Sequence, residues 1–406
     1  MNFIRENTRS RWKEQIKRTA FEINTNNDFS FIDRFIKDKR IILLGENSHG
    51  IADYFTIKND VIRYLHQYHG FNVVVLESGL LEAALCKQFL SDESPEKRIQ
   101  SSLLDIYHNE EMKPLFSEEW AQSIKLSGMD PQPTYPLTSK HMLDWIKINT
   151  DYELYESIRR VEEQYFELDS EMLVKVTKPL KKRMKAVIQE YEGVLKLIDI
   201  KLKNCTNHEK QRMLLLIQQG MQNRLQWLQV NLKGYLSSGI QRGFNMFQNL
   251  EWLMNHYYKN EKIIVWAHNF HIRKKRPLTA KLLGIKSVGY WLQRKYPEDF
   301  YAIGLYAGSG EFATQLRVEL EIDSMKKNHY HHLESLLYET SESDLFLPLN
   351  LQCQSTDRKM WFNRKWRLLE SGFLGLSPMV IFPQYHYDAI IFIREVTSPN
   401  YLKRFE

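Results

Sequence analysis

The chain has 406 residues, of which 43% are hydrophobic and 26% charged, and its formal net charge is +6. This is the composition of an ordinary globular protein with room for one large domain or two smaller ones, and not that of a disordered chain. The charge excess is small for this length, so we expect no nucleic-acid partner.

The chain begins with the sequence MNFIRENTRSRW, which contains no apolar run of the kind found in a signal peptide. No later stretch approaches the roughly 18 uninterrupted apolar residues that a membrane span needs. Cys86, Cys205 and Cys353 are scattered and form no Cys-x-x-Cys pair, so no disulfide framework is indicated. We therefore expect a reduced, cytoplasmic protein with no membrane partner, whose oligomeric state these features leave open.

Five short runs of apolar and β-branched residues predict strands. They show little alternation of polar and apolar residues, which is typical of strands buried on both faces of a sheet that helices cover. The five runs are Ile41–Leu44, Asn72–Glu77, Lys262–Ala267, Tyr301–Tyr306 and Ala389–Ile393. The predicted fold class is therefore α/β, with a central parallel or mixed sheet flanked by helices.

An amphipathic helix is predicted between the first two strands. Over Tyr54–Tyr68 the apolar residues Ile57, Val61 and Leu65 share one face, and Gly70 follows, as is typical of helix C-termini. Strand, helix and strand together indicate a βαβ unit.

The middle of the chain, from about residue 139 to 257, predicts helices and no strands. Three long amphipathic patterns cover Glu153–Phe166, Pro179–Ile200 and Glu209–Val230. Thr206 or Asn207 is the predicted N-cap of the third helix. The Pro-rich stretch Gly128–Pro133, just before this segment, is predicted to be a loop.

These patterns divide the chain into three predicted parts. Residues 1–138 and 258–406 would form the two parts of the α/β core, and residues 139–257 a long helical hairpin inserted between them. We expect the hairpin to form one wall of a cleft.

Polar side chains follow three of the predicted strands. Glu46 and His49 follow the first strand, Glu77 follows the second, and His268 and His271 follow the third. Ligands of α/β sheets bind outside the carboxyl ends of the strands, so we expect these side chains to form a functional site there.

The residue types in this set suit general base catalysis. A carboxylate beside a histidine fixes its tautomer and strengthens it as a base that can take a proton from water. A second histidine or a cation could stabilise the oxyanion of a tetrahedral intermediate, and Arg242 and Lys58 are the candidate cations. A nucleophilic serine is not indicated, because no Gly-x-Ser-x-Gly motif is present.

Two other interpretations stay open from the residues alone. By type, the two glutamates and three histidines could ligate zinc or manganese, although His-x-x-His after a strand is not the spacing of a metalloprotease helix and no cysteine assists. Taken singly, Glu77 could be a carboxylate at a helix N-terminus, and each histidine could be a core residue.

Four motifs, in the same order along the chain, resemble those of the erythromycin esterase family. Leu44–Gly50 is similar to Leu-Gly-Glu-x-Thr-His-Gly, and Val265–His271 to Trp-Ala-His-Asn-x-His. Gly128–Gln132 is similar to Gly-Phe-Asp-x-Gln, and Arg242–Asn249 to Arg-Asp-x-x-Met-Ala-x-Asn, with Gly243 in place of the acid. With shorter matches, the resemblance runs from about residue 40 to 395.

The resemblance implies a metal-independent ester hydrolase with no cofactor that opens the lactone of macrolide antibiotics. It implies catalytic roles for Glu46, His49, Glu77, His268, His271 and Arg242. The residues predicted to bind the small-molecule ester substrate are Lys58, Asp130, Gln132 and Asn269. The same family includes members assigned to succinoglycan biosynthesis.

We expect His49 to be the general base, oriented by Glu46 or Glu77, and to activate water for direct attack on the ester carbonyl. His268 or His271, with Arg242, would stabilise the oxyanion or protonate the leaving alkoxide. The alternative is a non-catalytic or metal-dependent relative that binds a polysaccharide precursor or another small ligand.

Overall fold

The structure is a computed structural model that describes residues 2–23, 28–134, 136–233, 235–316, 319–325, 331–349, 360–372 and 375–403. The described residues divide into two compact units. Unit 1 comprises those within Met1–Asn72, Ile106–Ile124 and Glu261–Lys403, and unit 2 those within Val73–Asp105 and Lys125–Asn260.

The strands are β1 (Phe21–Ile23), β2 (Ile41–Leu44), β3 (Phe71–Gly79), β4 (Lys125–Asp130), β5 (Lys262–Trp266), β6 (Phe300–Leu316), β7 (Glu319–Met325), β8 (Asp344–Pro348), β9 (Trp366–Gly372), β10 (Gly375–Ile381) and β11 (Ala389–Val396). All five strands predicted from the sequence are confirmed, with their bounds shifted by a few residues at most, except that β6 extends ten residues beyond the predicted Tyr306 to Leu316.

The α-helices are α1 (Asn2–Thr19), α2 (Asp33–Ile36), α3 (Ala52–His69), α4 (Leu80–Phe89), α5 (Pro95–Ser102), α6 (Pro114–Ser117), α7 (Pro136–Asn149), α8 (Tyr152–Val174), α9 (Lys178–Lys203), α10 (His208–Asn231), α11 (Tyr235–Trp252), α12 (Asn269–Ile272), α13 (Leu278–Leu282), α14 (Val288–Lys295), α15 (Leu333–Tyr338) and α16 (Pro383–His386). None of the helices in the described residues is long and apolar enough to span a membrane.

Unit 1 is built on a mixed sheet. In spatial order its strands are β1, β8, β11, β6, β2 and β5, and β7 pairs with β6. The β11–β6, β6–β2 and β2–β5 pairs are parallel, whereas the β1–β8, β8–β11 and β6–β7 pairs are antiparallel. Leu44 pairs with Trp266 on one side and with Ile303 on the other, so the loops after β2 and β5 leave the sheet side by side. The predicted α/β fold class is confirmed.

Unit 2 contains the parallel pair β3–β4 and the long helices. Helix α9 packs against both α8 and α10. Of the two predicted N-caps of α10, Thr206 and Asn207, the structure has Asn207, whose side chain accepts a hydrogen bond from the Lys210 N–H at 2.9 Å. The three long helices predicted for this segment are therefore present, whereas the division of the chain into three parts and the cleft wall stay predictions.

The predicted loop at Gly128–Pro133 is wrong in its first half, because Gly128–Asp130 is the end of β4. A Cβ on Gly128 would lie 2.1 Å from the backbone oxygen of Ser78 in β3. The glycine therefore allows close approach of two strands here and does not mark a turn.

Candidate active site

The first motif forms a tight loop between β2 and α3. Two of its glycines lie where a side chain does not fit: a Cβ on Gly45 would lie 2.0 Å from Oδ1 of Asn269, and one on Gly50 would lie 1.8 Å from the backbone oxygen of Ala313. Gly50 also accepts a hydrogen bond from the Ala313 N–H at 2.8 Å. The loop is fixed at both ends, which holds the residues between the glycines in place.

Glu46 is the centre of the hydrogen-bond network in this loop and is fully buried. Its Oε1 accepts a hydrogen bond from Nδ1 of His49 at 2.6 Å. Its Oε2 accepts from Nε1 of Trp266 at 3.2 Å and from the ammonium of Lys58. Lys58 is also buried, and its Nζ lies 4.7 Å from the centroid of the Trp266 ring. Three donors from three elements thus hold one carboxylate.

These contacts fix the charge of Glu46. Burial alone would raise the pKa of its carboxyl, but the positive charge of Lys58 and the hydrogen bond from His49 outweigh burial and lower the pKa to about 2, from an ordinary 4.5. Glu46 is therefore a carboxylate at every physiological pH. An ionised acceptor at 2.6 Å places the proton on Nδ1 of His49, which leaves the lone pair of the neutral ring on Nε2.

The accessibility of the pair differs between its members. The His49 side chain is 25% exposed, whereas that of Glu46 is 0% exposed. A partly exposed histidine that a buried carboxylate orients has the arrangement of a general base.

His268 lies beside His49, with 5.2 Å between the ring centroids and 52° between the ring planes. Its Nδ1 accepts a hydrogen bond from the Phe270 N–H at 3.1 Å, and its Nε2 lies 3.1 Å from the backbone oxygen of Asn47. A nitrogen that accepts from a backbone N–H carries no proton, so the proton is on Nε2 and is donated to Asn47. His268 is therefore held as a neutral imidazole with a defined tautomer.

His271 and Asn269 follow His268 in the short helix α12. The His271 N–H donates to the His268 backbone oxygen at 2.8 Å, and its ring packs edge-on against Phe270 with 5.2 Å between centroids. The Asn269 side chain donates to the Leu305 backbone oxygen at 3.0 Å and accepts from the Leu305 N–H at 3.3 Å. These contacts give Asn269 a structural role, and its part in substrate binding stays a prediction.

Unit 2 holds the predicted site residues Glu77, Asp130 and Arg242. Nε of Arg242 donates to both oxygens of the buried Asp130 at 3.1 Å, and Nη2 also pairs with that carboxylate. The same Nη2 lies 3.7 Å from Oε1 of Glu77. The N–H of Gln132 donates to Oδ1 of Asp130 at 3.0 Å. The roles predicted for these four residues stay predictions.

A metal site needs several His, Cys, Asp or Glu side chains around one point. Among the residues that the structure describes, no group of three or more His, Cys, Asp or Glu side chains is placed to hold a metal ion. In unit 1 the second oxygen of Glu46 is occupied by Lys58, a cation that a metal would have to displace. Metal independence stays a prediction.

The sequence profile described as erythromycin esterase matches residues 66–396, which is most of the chain. This chain belongs to the erythromycin esterase family. It is 24% identical over 427 aligned residues to YbfO of Bacillus subtilis (strain 168), whose name assigns it provisionally to the hydrolases; the alignment covers 97% of this chain and 92% of YbfO. It is 22% identical to erythromycin esterase type II of Escherichia coli, over 73% of this chain and 77% of that protein.

A crystal structure of a Bacillus cereus protein has the same fold, with a TM-score of 0.79 and 18% sequence identity. The superposition covers 97% of this chain and 99% of that one. The resemblance proposed from the four motifs is thus confirmed at the level of family and fold.

Sequence reasoning missed two residues that shape this site. Trp266 donates a hydrogen bond to Glu46, and the backbone oxygen of Asn47 accepts one from the Nε2–H of His268. Both lie inside the motifs quoted for the family, which is the signal that could have identified them. Lys58, a predicted cation for the substrate or oxyanion, pairs with Glu46 in the structure, and its predicted role stays a prediction.

Proposed function

We propose that this member of the erythromycin esterase family is an ester hydrolase in which His49 is the general base. The observation that carries the proposal is the hydrogen bond between Nδ1 of His49 and the buried, ionised Glu46. Family membership supports a hydrolase-like function, and the geometry supports the assignment of the base.

In the proposed reaction, Nε2 of His49 takes a proton from a water molecule as that water attacks the ester carbonyl. The imidazolium that forms lies against the Glu46 carboxylate, whose negative charge stabilises it. The proton then passes from His49 to the leaving alkoxide, which restores the neutral base. The charge of Glu46 is unchanged throughout, because Lys58 keeps it ionised.

The neutral state of His268 supports this assignment. A second imidazolium with its ring centre 5.2 Å from that of His49 would oppose protonation of the base by like-charge repulsion. Because both nitrogens of His268 are bonded to the backbone, we assign it a positioning role. Of the three predicted site histidines, we assign His271 to stabilisation of the oxyanion.

A macrolide lactone is the first substrate to test, since one relative of this chain is named erythromycin esterase type II. The purified protein is incubated with erythromycin and, separately, with simple chromogenic esters, and ring opening is followed as a mass gain of one water. If the protein hydrolyses simple esters but not erythromycin, the proposed mechanism stands and the proposed substrate class changes. Tight binding of another ligand without turnover of either would favour the alternative, a binding protein of the same fold.

The assignment of the base is tested with His49→Ala. We expect hydrolysis to fall by roughly 10²- to 10⁴-fold, the usual contribution of a general base, with little change in melting temperature. The matched control is His69→Ala, which removes another histidine that bonds a carboxylate in unit 1, with 2.8 Å between Nε2 and Oδ1 of Asp33. Full activity in His49→Ala would refute the assignment.

A further inference from the structure

A chain of hydrogen bonds connects Asn47 to a carboxyl group that no motif marks. Nδ2 of Asn47 donates to the backbone oxygen of Leu369 in β9 at 2.9 Å. The N–H of the same Leu369 donates to Oε1 of Glu334 in α15 at 2.6 Å. Glu334 and Asn47 are both fully buried. One residue of β9 therefore lies between the site loop and a helix more than 280 residues away in the sequence.

Asn47 is held at both ends of its side chain. Its Oδ1 accepts a hydrogen bond from the Tyr54 hydroxyl at 2.7 Å, while its Nδ2 is bonded to Leu369. With the amide fixed in this way, the backbone oxygen of Asn47 points at Nε2 of His268, 3.1 Å away. Together with the Phe270 N–H, which donates to Nδ1, that oxygen favours the Nε2–H tautomer of His268.

We propose that Glu334 is a positioning residue of the esterase site, which acts through Leu369 and Asn47 to hold His268 as the Nε2–H tautomer. The inference rests on the proposed function for the catalytic meaning of His268, but the hydrogen-bond chain itself does not depend on it. The hydrogen bond described for Glu334 is with Leu369, so its effect on His268 is indirect.

The protonation state of Glu334 suits this task. Burial raises the pKa of its carboxyl to about 8, the Leu369 N–H lowers it in part, and the neighbouring Glu370 adds to the rise. At neutral pH it is thus an uncharged acid that accepts a hydrogen bond and adds no charge near the site. The ionisable groups around it are Glu370 in β9, Tyr54 in α3, whose pKa Glu334 helps to raise, and Arg9 in α1, which bonds the adjacent Ser335.

The test compares three variants of the full chain. Glu334→Gln keeps a neutral acceptor for the Leu369 N–H, whereas Glu334→Leu removes it. Glu339→Gln is the matched control, because Glu339 follows the same helix but pairs with Arg9 and Lys13 at 2.7 Å. Each protein is labelled with ¹⁵N-histidine, and the His268 signals are identified as those lost in His268→Gln. The spectrum reports the tautomer without any turnover.

We expect a single Nε2–H tautomer of His268 in the wild type, Glu334→Gln and Glu339→Gln, and a mixture of tautomers in Glu334→Leu. If esters are hydrolysed, kcat of Glu334→Leu should also fall, by at most the roughly 10- to 100-fold found for the outer partners of metal-bound histidines, with little change in KM. A folded Glu334→Leu protein with an unchanged His268 spectrum would overturn the proposal.

If Glu334→Leu does not fold, the wild type is compared with Glu334→Gln between pH 6 and pH 9.5. Ionisation of Glu334 should move the His268 Nε2 signal with a midpoint near its pKa of about 8, and only in the wild type. The same titration in both proteins would overturn the proposal. Absence of esterase activity would refute the proposed function and leave these spectra interpretable.

Discussion

Replacing Lys58 with Met removes the ammonium that compensates the buried charge of Glu46, while a side chain of similar length still packs on Trp266. We expect Lys58→Met to lower the free energy of unfolding at pH 7 by about 3 to 5 kcal/mol, the range for breaking a buried ion pair. The pKa shift of Glu46 gives a similar value for this free energy. Its fall from 4.5 to about 2, at about 1.4 kcal/mol per pKa unit, corresponds to about 3 kcal/mol.

The direction of the pH dependence follows from the sign of that shift. Because the pKa of Glu46 is lower in the folded protein than its ordinary 4.5, the stabilisation is complete above pH 4.5 and is lost as the pH falls to about 2. Without Lys58, burial is the largest remaining effect and raises the pKa, so the variant should lack this loss at acid pH. Urea unfolding followed by circular dichroism at pH 7, 4 and 2.5 measures both quantities.

A double variant separates the charge effect from packing. Glu46→Gln combined with Lys58→Met leaves no unpaired buried charge, so it should be clearly more stable at pH 7 than Lys58→Met alone. If Lys58→Met is as stable as the wild type, or if the double variant recovers nothing, the pair does not determine the stability of this loop.

Three further changes have defined expected outcomes. The pKa of Glu334 is raised from 4.5 to about 8 in the folded protein, so the wild type loses stability as the pH rises through that range. Glu334→Gln has no such loss and should therefore exceed the wild type by up to about 5 kcal/mol in free energy of unfolding at pH 9. The same difference between the two proteins in urea unfolding at pH 5 and at pH 9 would disprove this. Arg224→Met should lower the free energy of unfolding by about 3 to 5 kcal/mol, because it leaves the buried Glu82 carboxylate without the guanidinium that contacts it at 2.5 Å. An unchanged melting temperature would contradict this expectation. Gly50→Ala should lower the melting temperature and the esterase activity together, because its Cβ would lie 1.8 Å from a backbone oxygen of Ala313, and retention of both would argue against a fixed loop.

The strands that could be predicted are those whose own residues carry the signal. Ile41–Leu44 in β2 is apolar throughout and fully buried, so its pattern alone predicts a central strand. β4 contains Lys125, Ser127 and Gly128 and becomes a strand through pairing with β3, which no local pattern records. β10 contains a proline, which argues against a strand when the sequence is read alone. A strand at the edge of a sheet nevertheless tolerates proline.

The same distinction applies to the site. Glu46 and His49 are three residues apart, and their hydrogen bond could be predicted from one motif. The partner of Glu46 on its other side, Trp266, lies 220 residues away, and the contact between Glu334 and Leu369 joins two segments with no motif. Such contacts form only where distant segments of the chain meet in the fold. The spacing of residues along the sequence does not show which segments meet.

The close contact between Gly45 and Asn269 has a consequence for how relatives of this chain diverge. A methyl group at position 45 would lie 2.0 Å from Oδ1 of Asn269 and 2.7 Å from Cδ1 of Ile272. The amide of Asn269 is also committed to both backbone groups of Leu305, so it cannot rotate away without breaking two hydrogen bonds. Positions 45 and 269 should therefore evolve as a pair: a lineage that gains a side chain at 45 needs a smaller residue at 269, and single replacements at either position should be rare among natural variants.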